Sequence, residues 1–396
     1  MDTKKYTVRG FRASALSAGL KKDGALDLAL IASEAKSVSA GIFTTNKVKA
    51  APVLVSHEHI GDGKARVVIA NAGNANACTG SVGLRDARRT AELVAKELGV
   101  PPEEVLVAST GVIGQPFNMG AIENSIPDLA AGLSPDGIPL AAQAIMTTDS
   151  FSKIASFDGD IRGEPYRILG LAKGAGMIMP QMATMLCFVL TDIMIDAKDL
   201  RKALVCAAEK TFNRITVDGD TSTNDMVLAL ANGFAGNKTL SEEELGDFKT
   251  GLERVMGELS RMMVRDGEGA TKVVHVRVRG AANDRDALRA ARTVANSSLV
   301  KTAFYGQDPN WGRIMAALGR AEIQMKEETV DIWIDGVQIV EGGLGKGEEA
   351  EKTAAKKMGL EEFVLEIDLH QGIFQDQIIT CDLTHDYITI NADYRT

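Results

Sequence analysis

Short runs of apolar and β-branched residues alternate along this chain with amphipathic stretches, in no strict order. ARVVIANAG (65–73) predicts a strand that ends in small and Asn residues. A helix over 84–98 follows, where Ala87, Ala91, Leu93, Val94 and Leu98 form an apolar stripe. A second strand, 104–108, enters what reads as a small polar turn at Ser109, Thr110 and Gly111. Further on, 187–195 reads as strand and 195–210 as a helix with Leu200, Ala203, Leu204 and Ala207 on one side. A longer helix spans 240–264, its acids Glu242, Glu243 and Glu244 favouring the N-terminal end. KVVHVRVR (272–279) alternates as a strand exposed on one face, and 284–297 is helical again. The tail is strand-like over 331–340, 363–369 and 387–391. Strands and helices mixed in this way predict a layered α/β or α+β body. No repeat or low-complexity linker marks a domain boundary.

Composition narrows the class. The 396 residues suffice for two lobes or one large α/β body, and 45% hydrophobic with 24% charged residues is the balance of a soluble globular protein. A net charge of −9 argues against general binding to nucleic acid or anionic membranes. The N-terminus has no apolar core of a secretory signal, and no uninterrupted apolar run reaches spanning length. A cytoplasmic, enzyme-sized protein is the expectation. The four cysteines are scattered, with no CxxC pair, and His57 and His59 have no third ligand at convincing spacing. Neither a disulfide framework nor a zinc site is expected.

One segment poses a chemical question. GMIMPQMATMLCFVL (176–190) is mostly apolar but carries Thr184 near its centre, directly after Ala183. A Thr hydroxyl is a weak nucleophile that needs a base beside it. If the chain is cut before Thr184, that residue's own α-amine, which titrates at about 7.7–8.0, serves as base and then acid. A small Ala183 leaves the scissile carbonyl open to attack. Left uncut, Thr184 is a β-prone residue in a buried strand.

Other segments are weak singly. KGAGM (173–177) places Lys173 before its glycines, so it is no phosphate loop, but the ammonium suits a carboxylate or a proton transfer. STGVIGQP (109–116) offers backbone N–H groups that can converge on an oxyanion. ITVDGDTSTND (215–225) holds three Asp in an order that does not match a calcium loop. RDGEGATK (265–272) sets Glu268 between glycines, where a ligand can approach the backbone. FYGQDPNWGR (304–313) suits either a ligand wall or a Pro-Asn turn pinned by Trp311.

Together, KGAGMIMPQMATML, STGVIG, MTTDS, DGDTSTND, RDGEGATK, GQDPNWGR and the terminal INADYRT run in one family's order across nearly the whole chain. The sequence resembles the ornithine acetyltransferases of arginine biosynthesis, also called glutamate N-acetyltransferases. The resemblance implies self-cleavage between Ala183 and Thr184 into an α chain of 1–183 and a β chain of 184–396. It implies a layered α/β body of N-terminal-nucleophile type with its own topology. Thr184 matches the nucleophile, Thr110 and Gly111 the oxyanion hole, and Thr147, Lys173, Thr184, Glu268, Asn391 and Thr396 the substrate contacts. The implied substrates are N-acetylornithine and glutamate, with acetyl-CoA as a second donor in some members. No metal or organic cofactor is implied, and the assembly would be α2β2. The last residue would be pinned at the site, against the usual fraying of termini. Two other readings stand on the residues alone: an N-terminal-Thr amidohydrolase or aminopeptidase, and an uncut binding protein.

Overall fold

The computed structural model describes residues 6–22, 24–179 and 185–393. Ala183, Thr184 and Thr396 therefore lie outside the described residues. The described chain divides into two compact units, one of residues up to 213 with 220–263, the other of 214–219 with 264–393.

The first unit is built on β1 (Phe11–Leu16), β2 (Leu28–Phe43), β3 (Lys64–Asn74), β4 (Val105–Val112), β5 (Lys153–Ile161), β6 (Glu164–Lys173), β7 (Leu186–Thr191) and β8 (Met226–Ala231). Among the described residues these form one eight-stranded sheet in the order β4-β3-β2-β8-β7-β6-β5, with β1 also on β2. Its helices are α1 (Ala51–His59), α2 (Gly80–Leu98), α3 (Met119–Ala131), α4 (Ile138–Ala144), α5 (Ala197–Lys210) and α6 (Glu242–Arg265), the last belonging to this unit through Met263. Strand residues are sorted with period two. Leu28, Leu30, Val67, Ile69, Val105 and Val107 pack with Ala87, Ala91 and Val94 of α2 and with Ile122 and Ile126 of α3. Their neighbours Ala29, Ile31, Val68, Ala70, Leu106 and Ala108 point the other way. Both faces are buried, which is why these strands read as continuous apolar runs.

The second face of β2–β4 shares a single core with Leu169 and Leu171 of β6, Leu186, Phe188 and Leu190 of β7, and Leu228 and Leu230 of β8. The two halves of the sheet thus enclose one core. Strand β2, with a register shift between Ala32 and Ser37, pairs with β1 before that point and with β8 after it. Two parallel pairs, β3–β4 and β7–β8, sit in an otherwise antiparallel sheet.

The second unit carries β9 (Val273–Ala281), β10 (Asp331–Ile334), β11 (Val337–Glu341), β12 (Leu344–Gly345), β13 (Glu362–Asp368) and β14 (Phe374–Cys381), in the order β12-β11-β10-β13-β9-β14. Its helices are α7 (Asp284–Ala295), α8 (Ser298–Tyr305), α9 (Trp311–Gly319), α10 (Glu348–Met358) and α11 (His385–Asp393). Ala287, Ala290, Ala291 and Val294 of α7 and Ile314, Ala317 and Leu318 of α9 cover one face of the sheet. The other face of β9 carries His275, bonded to Glu362 at 2.7 Å, and Arg279, bonded to Glu366 at 2.9 Å. The alternation of KVVHVRVR predicted this half-exposed strand.

Three local expectations are corrected. Residues 387–391 are not strand but part of α11. The Thr384 hydroxyl accepts from the Tyr387 N–H at 3.3 Å, three positions on, and so caps the helix start over the β-propensity of Tyr, Ile and Thr. Residues 331–340 are two strands, β10 and β11, because Asp335 and Gly336 both take positive φ (45° and 80°), the turn that reverses a tight hairpin. Ser109, Thr110 and Gly111 are not a turn after β4 but its continuation, paired with Asn71, Ala72 and Gly73 of β3. Among the described residues no helix is long and apolar enough to cross a membrane.

Candidate active site

Thr110 stands near the end of β4 and Lys173 ends β6, strands five places apart in the sheet order. In a flat sheet that separation would be about 24 Å at the usual strand spacing. Instead the Lys173 Nζ donates to Thr110 Oγ1 at 3.1 Å. The sheet doubles back around its core and brings these two strand ends into contact.

The β4 end is held from several sides. The Ser109 hydroxyl donates to Asn71 Oδ1 at 2.6 Å, and the Asn224 amide donates to the carbonyls of Ala75 (2.6 Å) and Ser109 (2.8 Å). Gly111 takes φ 126°, and a Cβ there would lie 2.4 Å from the backbone of Gly73. Only glycine permits this approach of β4 to β3.

Behind Lys173 lies a buried charge cluster. The segment before β5 contributes Asp149, whose Oδ1 accepts from Lys153 Nζ at 2.6 Å and from the Gly174 N–H at 2.6 Å, while Oδ2 accepts from the Thr147 N–H at 3.0 Å. Lys153 is 0% exposed and Lys173 9%. Burial alone would push the Asp149 carboxyl up, but the charges of Lys173 and then Lys153, with the hydrogen bonds, hold it down at about 2. Thr147 is thus tied to Lys173's neighbour through one carboxylate, and the Gly-rich KGAGM bend is fixed by the same group.

Asp225, immediately before β8, shows the opposite behaviour. It is fully buried, and desolvation raises its carboxyl well above the ordinary range despite hydrogen bonds from Ser222 and Met185 and the nearby Lys173 charge. Among the described residues its Oδ2 has no hydrogen-bond partner.

In the second unit Glu268 and Asn391 are brought together: Asn391 Nδ2 donates to Glu268 Oε2 at 2.7 Å. The Glu268 turn is tied down where the Thr384 hydroxyl donates to the Gly269 carbonyl at 2.8 Å. The 304–313 segment resolves in favour of the turn. Asn310 caps α9 by accepting from the Arg313 N–H at 3.3 Å, and Trp311 Nε1 donates to Glu351 at 3.1 Å.

Known proteins match this chain along nearly its full length. The ArgJ family model matches residues 12–396. The chain belongs to the ArgJ family. It is 51% identical over 391 residues to the arginine biosynthesis bifunctional protein ArgJ of Geobacter sulfurreducens, covering 98% of this chain and 100% of that protein. With the protein of the same name from Syntrophotalea carbinolica it shares 52% over 392 residues, covering 98% and 99%. A crystal structure of the Bacillus halodurans ArgJ protein superposes with a TM-score of 0.50 at 43% identity, covering 52% of this chain and 98% of that one. Membership makes this chain an acyltransferase of arginine biosynthesis with a mixed α/β fold.

Among the positions implied by the resemblance, the structure joins Thr110 with Lys173 directly and Thr147 through Asp149 in the first unit, and Glu268 with Asn391 in the second. Sequence reasoning missed Asp149, Lys153, Asn224 and Asp225. A signal for Asp225 was present: an acid placed directly before MVLALA (226–231), a run that only a buried strand would carry.

Proposed function

We propose that this chain cuts itself between Ala183 and Thr184, giving chains 1–183 and 184–396, and then moves an acetyl group from N-acetylornithine to glutamate. The hydroxyl of Thr184 attacks the acetyl carbonyl, its α-amine taking the proton. The amide C–N bond breaks, the amine returns the proton to the departing ornithine nitrogen, and an acetyl ester remains on Thr184. The glutamate amine attacks that ester, the C–O bond breaks, and Thr184 recovers its proton as N-acetylglutamate leaves. Thr110 and Gly111 stabilise the oxyanion formed in both halves. Lys173 and Glu268 hold the charged ends of the amino-acid substrates. Acetyl-CoA is a second donor to glutamate on this reading, in line with the word bifunctional in the names of the relatives, and the assembly is α2β2.

The contact between Lys173 and Thr110 carries the proposal. It puts a buried ammonium beside a hydroxyl at the strand end matched to the oxyanion hole, in a cluster whose two lysines outnumber its one ionised acid. Such a place favours developing negative charge. The comparison structure lends support to the cut: its chain corresponds to about half of this one, as a product of cleavage near the middle would.

The test is ornithine release from N-acetylornithine with and without glutamate. The proposal requires N-acetylglutamate to form in step with ornithine. Equal release without glutamate would make water the acceptor and the protein a hydrolase.

A further inference from the structure

Lys272, the last residue of the RDGEGATK segment, has no role in the reaction as written above. It stands immediately before β9, and Glu361 stands immediately before β13, the parallel neighbour of β9. The Val273 N–H donates to the Glu361 carbonyl at 2.8 Å and ties the two strand ends together. Beside them opens a cavity of about 200 Å³, lined by Thr271, Lys272, Glu361, Glu362 and Arg265, the last residue of α6. All of these residues belong to the second unit.

Lys272 is 7% exposed, yet among the described residues its ammonium has no hydrogen bond and no ion pair. The nearby acids are engaged elsewhere. Asp382 accepts from the Thr271 N–H (2.9 Å), the Thr271 hydroxyl (2.5 Å) and the Lys272 N–H (3.0 Å). It therefore fixes the backbone on which Lys272 stands rather than the charge at the end of its side chain. Glu362 is bonded to His275 at 2.7 Å. Glu361 meets Arg265 at 3.4 Å, where both side chains are mostly exposed. The Lys272 ammonium is not sealed inside the protein but reaches the surface of the cavity.

A cation withdrawn from water without a counter-charge is unfavourable. An anion in the cavity relieves that cost, and the surroundings limit which anion. One cation is unpaired, so one negative charge is matched. A dianion such as phosphate would set its second charge against Glu361 and Glu362. The volume is that of about six or seven waters, room for a small organic acid and too little for a nucleotide.

We propose that this cavity is an accessory binding site for a small monocarboxylate, held by the Lys272 ammonium with Arg265 at the mouth. The site uses none of the residues assigned to the reaction, and the proposal does not depend on self-cleavage or on acetyl transfer. Because Asp382 holds Thr271 and Lys272 in place, the segment is ordered before a ligand arrives, which lowers the cost of binding.

The experiment titrates isotope-labelled acetate into the full chain and reads the bound fraction from broadening of its NMR line. It compares wild type, Lys272→Met and Glu361→Gln, with phosphate as competitor. Lys272→Met keeps the length of the side chain and removes the charge. Acetate affinity should fall at least about tenfold in this variant, as for loss of one charge-assisted hydrogen bond. Glu361→Gln removes a like charge from the rim, and acetate should bind about twofold more tightly or better. The acetate component lost in Lys272→Met should resist phosphate in wild type. Equal broadening in wild type and Lys272→Met, or displacement by phosphate as easily as by unlabelled acetate, would overturn the site. If Lys272→Met does not fold, Glu361→Gln decides alone, because its substitution is on the exposed rim. An acetate affinity that it leaves unchanged contradicts the proposal.

Discussion

Lys173 and Thr110 meet at 3.1 Å although their strands lie five places apart in one sheet. The contact exists because β2–β4 and β6–β8 share a core, so burial of Leu106, Ala108, Leu171 and Phe188 sets the distance between an ammonium and a hydroxyl. Packing and site chemistry are coupled here, and each side of the contact can be tested.

Thr110→Val keeps the shape of the side chain and removes the hydroxyl. Loss of one donor to a developing oxyanion should lower kcat about a hundredfold, with KM nearly constant. Steady-state kinetics at saturating glutamate would check this. A variant that changed only KM would assign Thr110 to binding.

Lys173→Ala should mainly raise KM if the ammonium holds a substrate carboxylate. An unchanged KM with a collapsed kcat would give Lys173 a role in the chemical step instead. Cleavage must be measured alongside, since Lys173 ends the strand paired with Leu186.

Asp149 also makes stability depend on pH. Its folded value of about 2 lies below the ordinary 3.8, so its stabilising contribution is complete above about pH 4 and is lost as pH falls through 2. Lys153→Met removes one of the two charges that hold it down. The variant should be less stable by about 3 kcal/mol at neutral pH and should unfold at higher pH on acid titration. Circular dichroism against denaturant and against pH would show both. Equal acid midpoints for the two proteins would contradict the pairing.

In the second unit, Glu268→Gln should weaken substrate binding while leaving the fold intact, because the Gln side chain can still accept from Asn391 at the same oxygen. Asn391→Ala should act in the same direction and more weakly, since Thr384 still ties the turn through Gly269. Isothermal binding of ornithine reads both. An effect of Asn391→Ala larger than that of Glu268→Gln would reverse the order of roles.

Much of this was legible in the chain. Period-two alternation located β9, apolar continuity located β3 and β7, helical stripes located α2 and α5, and the helices read over 240–264 and 284–297 match α6 and α7, all within a few residues. The motifs pointed to Thr110, Lys173 and Glu268 as chemically interesting. Local pattern failed where longer-range geometry decided. Thr110 looked like a turn residue because Ser, Thr and Gly are turn formers, yet pairing with β3 keeps it in the strand. The 387–391 segment looked like strand because its residues are β-prone, yet a Thr384 cap makes it helix. Asp149 and Asp225 carry no local sign that the first carboxyl is held down and the second pushed up. That difference comes from two lysines beside the first and the burial of the second, both made by the tertiary fold.

The central claim is that Thr184 becomes an N-terminus, and intact-mass spectrometry of freshly purified wild type beside Thr184→Ala tests it most directly. The account predicts two wild-type species of roughly 19 and 23 kDa, the 42.1 kDa chain divided in the ratio 183 to 213, with the heavier beginning at Thr184. Thr184→Ala should remain a single 42.1 kDa chain. A wild type that stays whole while transferring acetyl groups would contradict the account, because Thr184 would then have no free amine to act as its base.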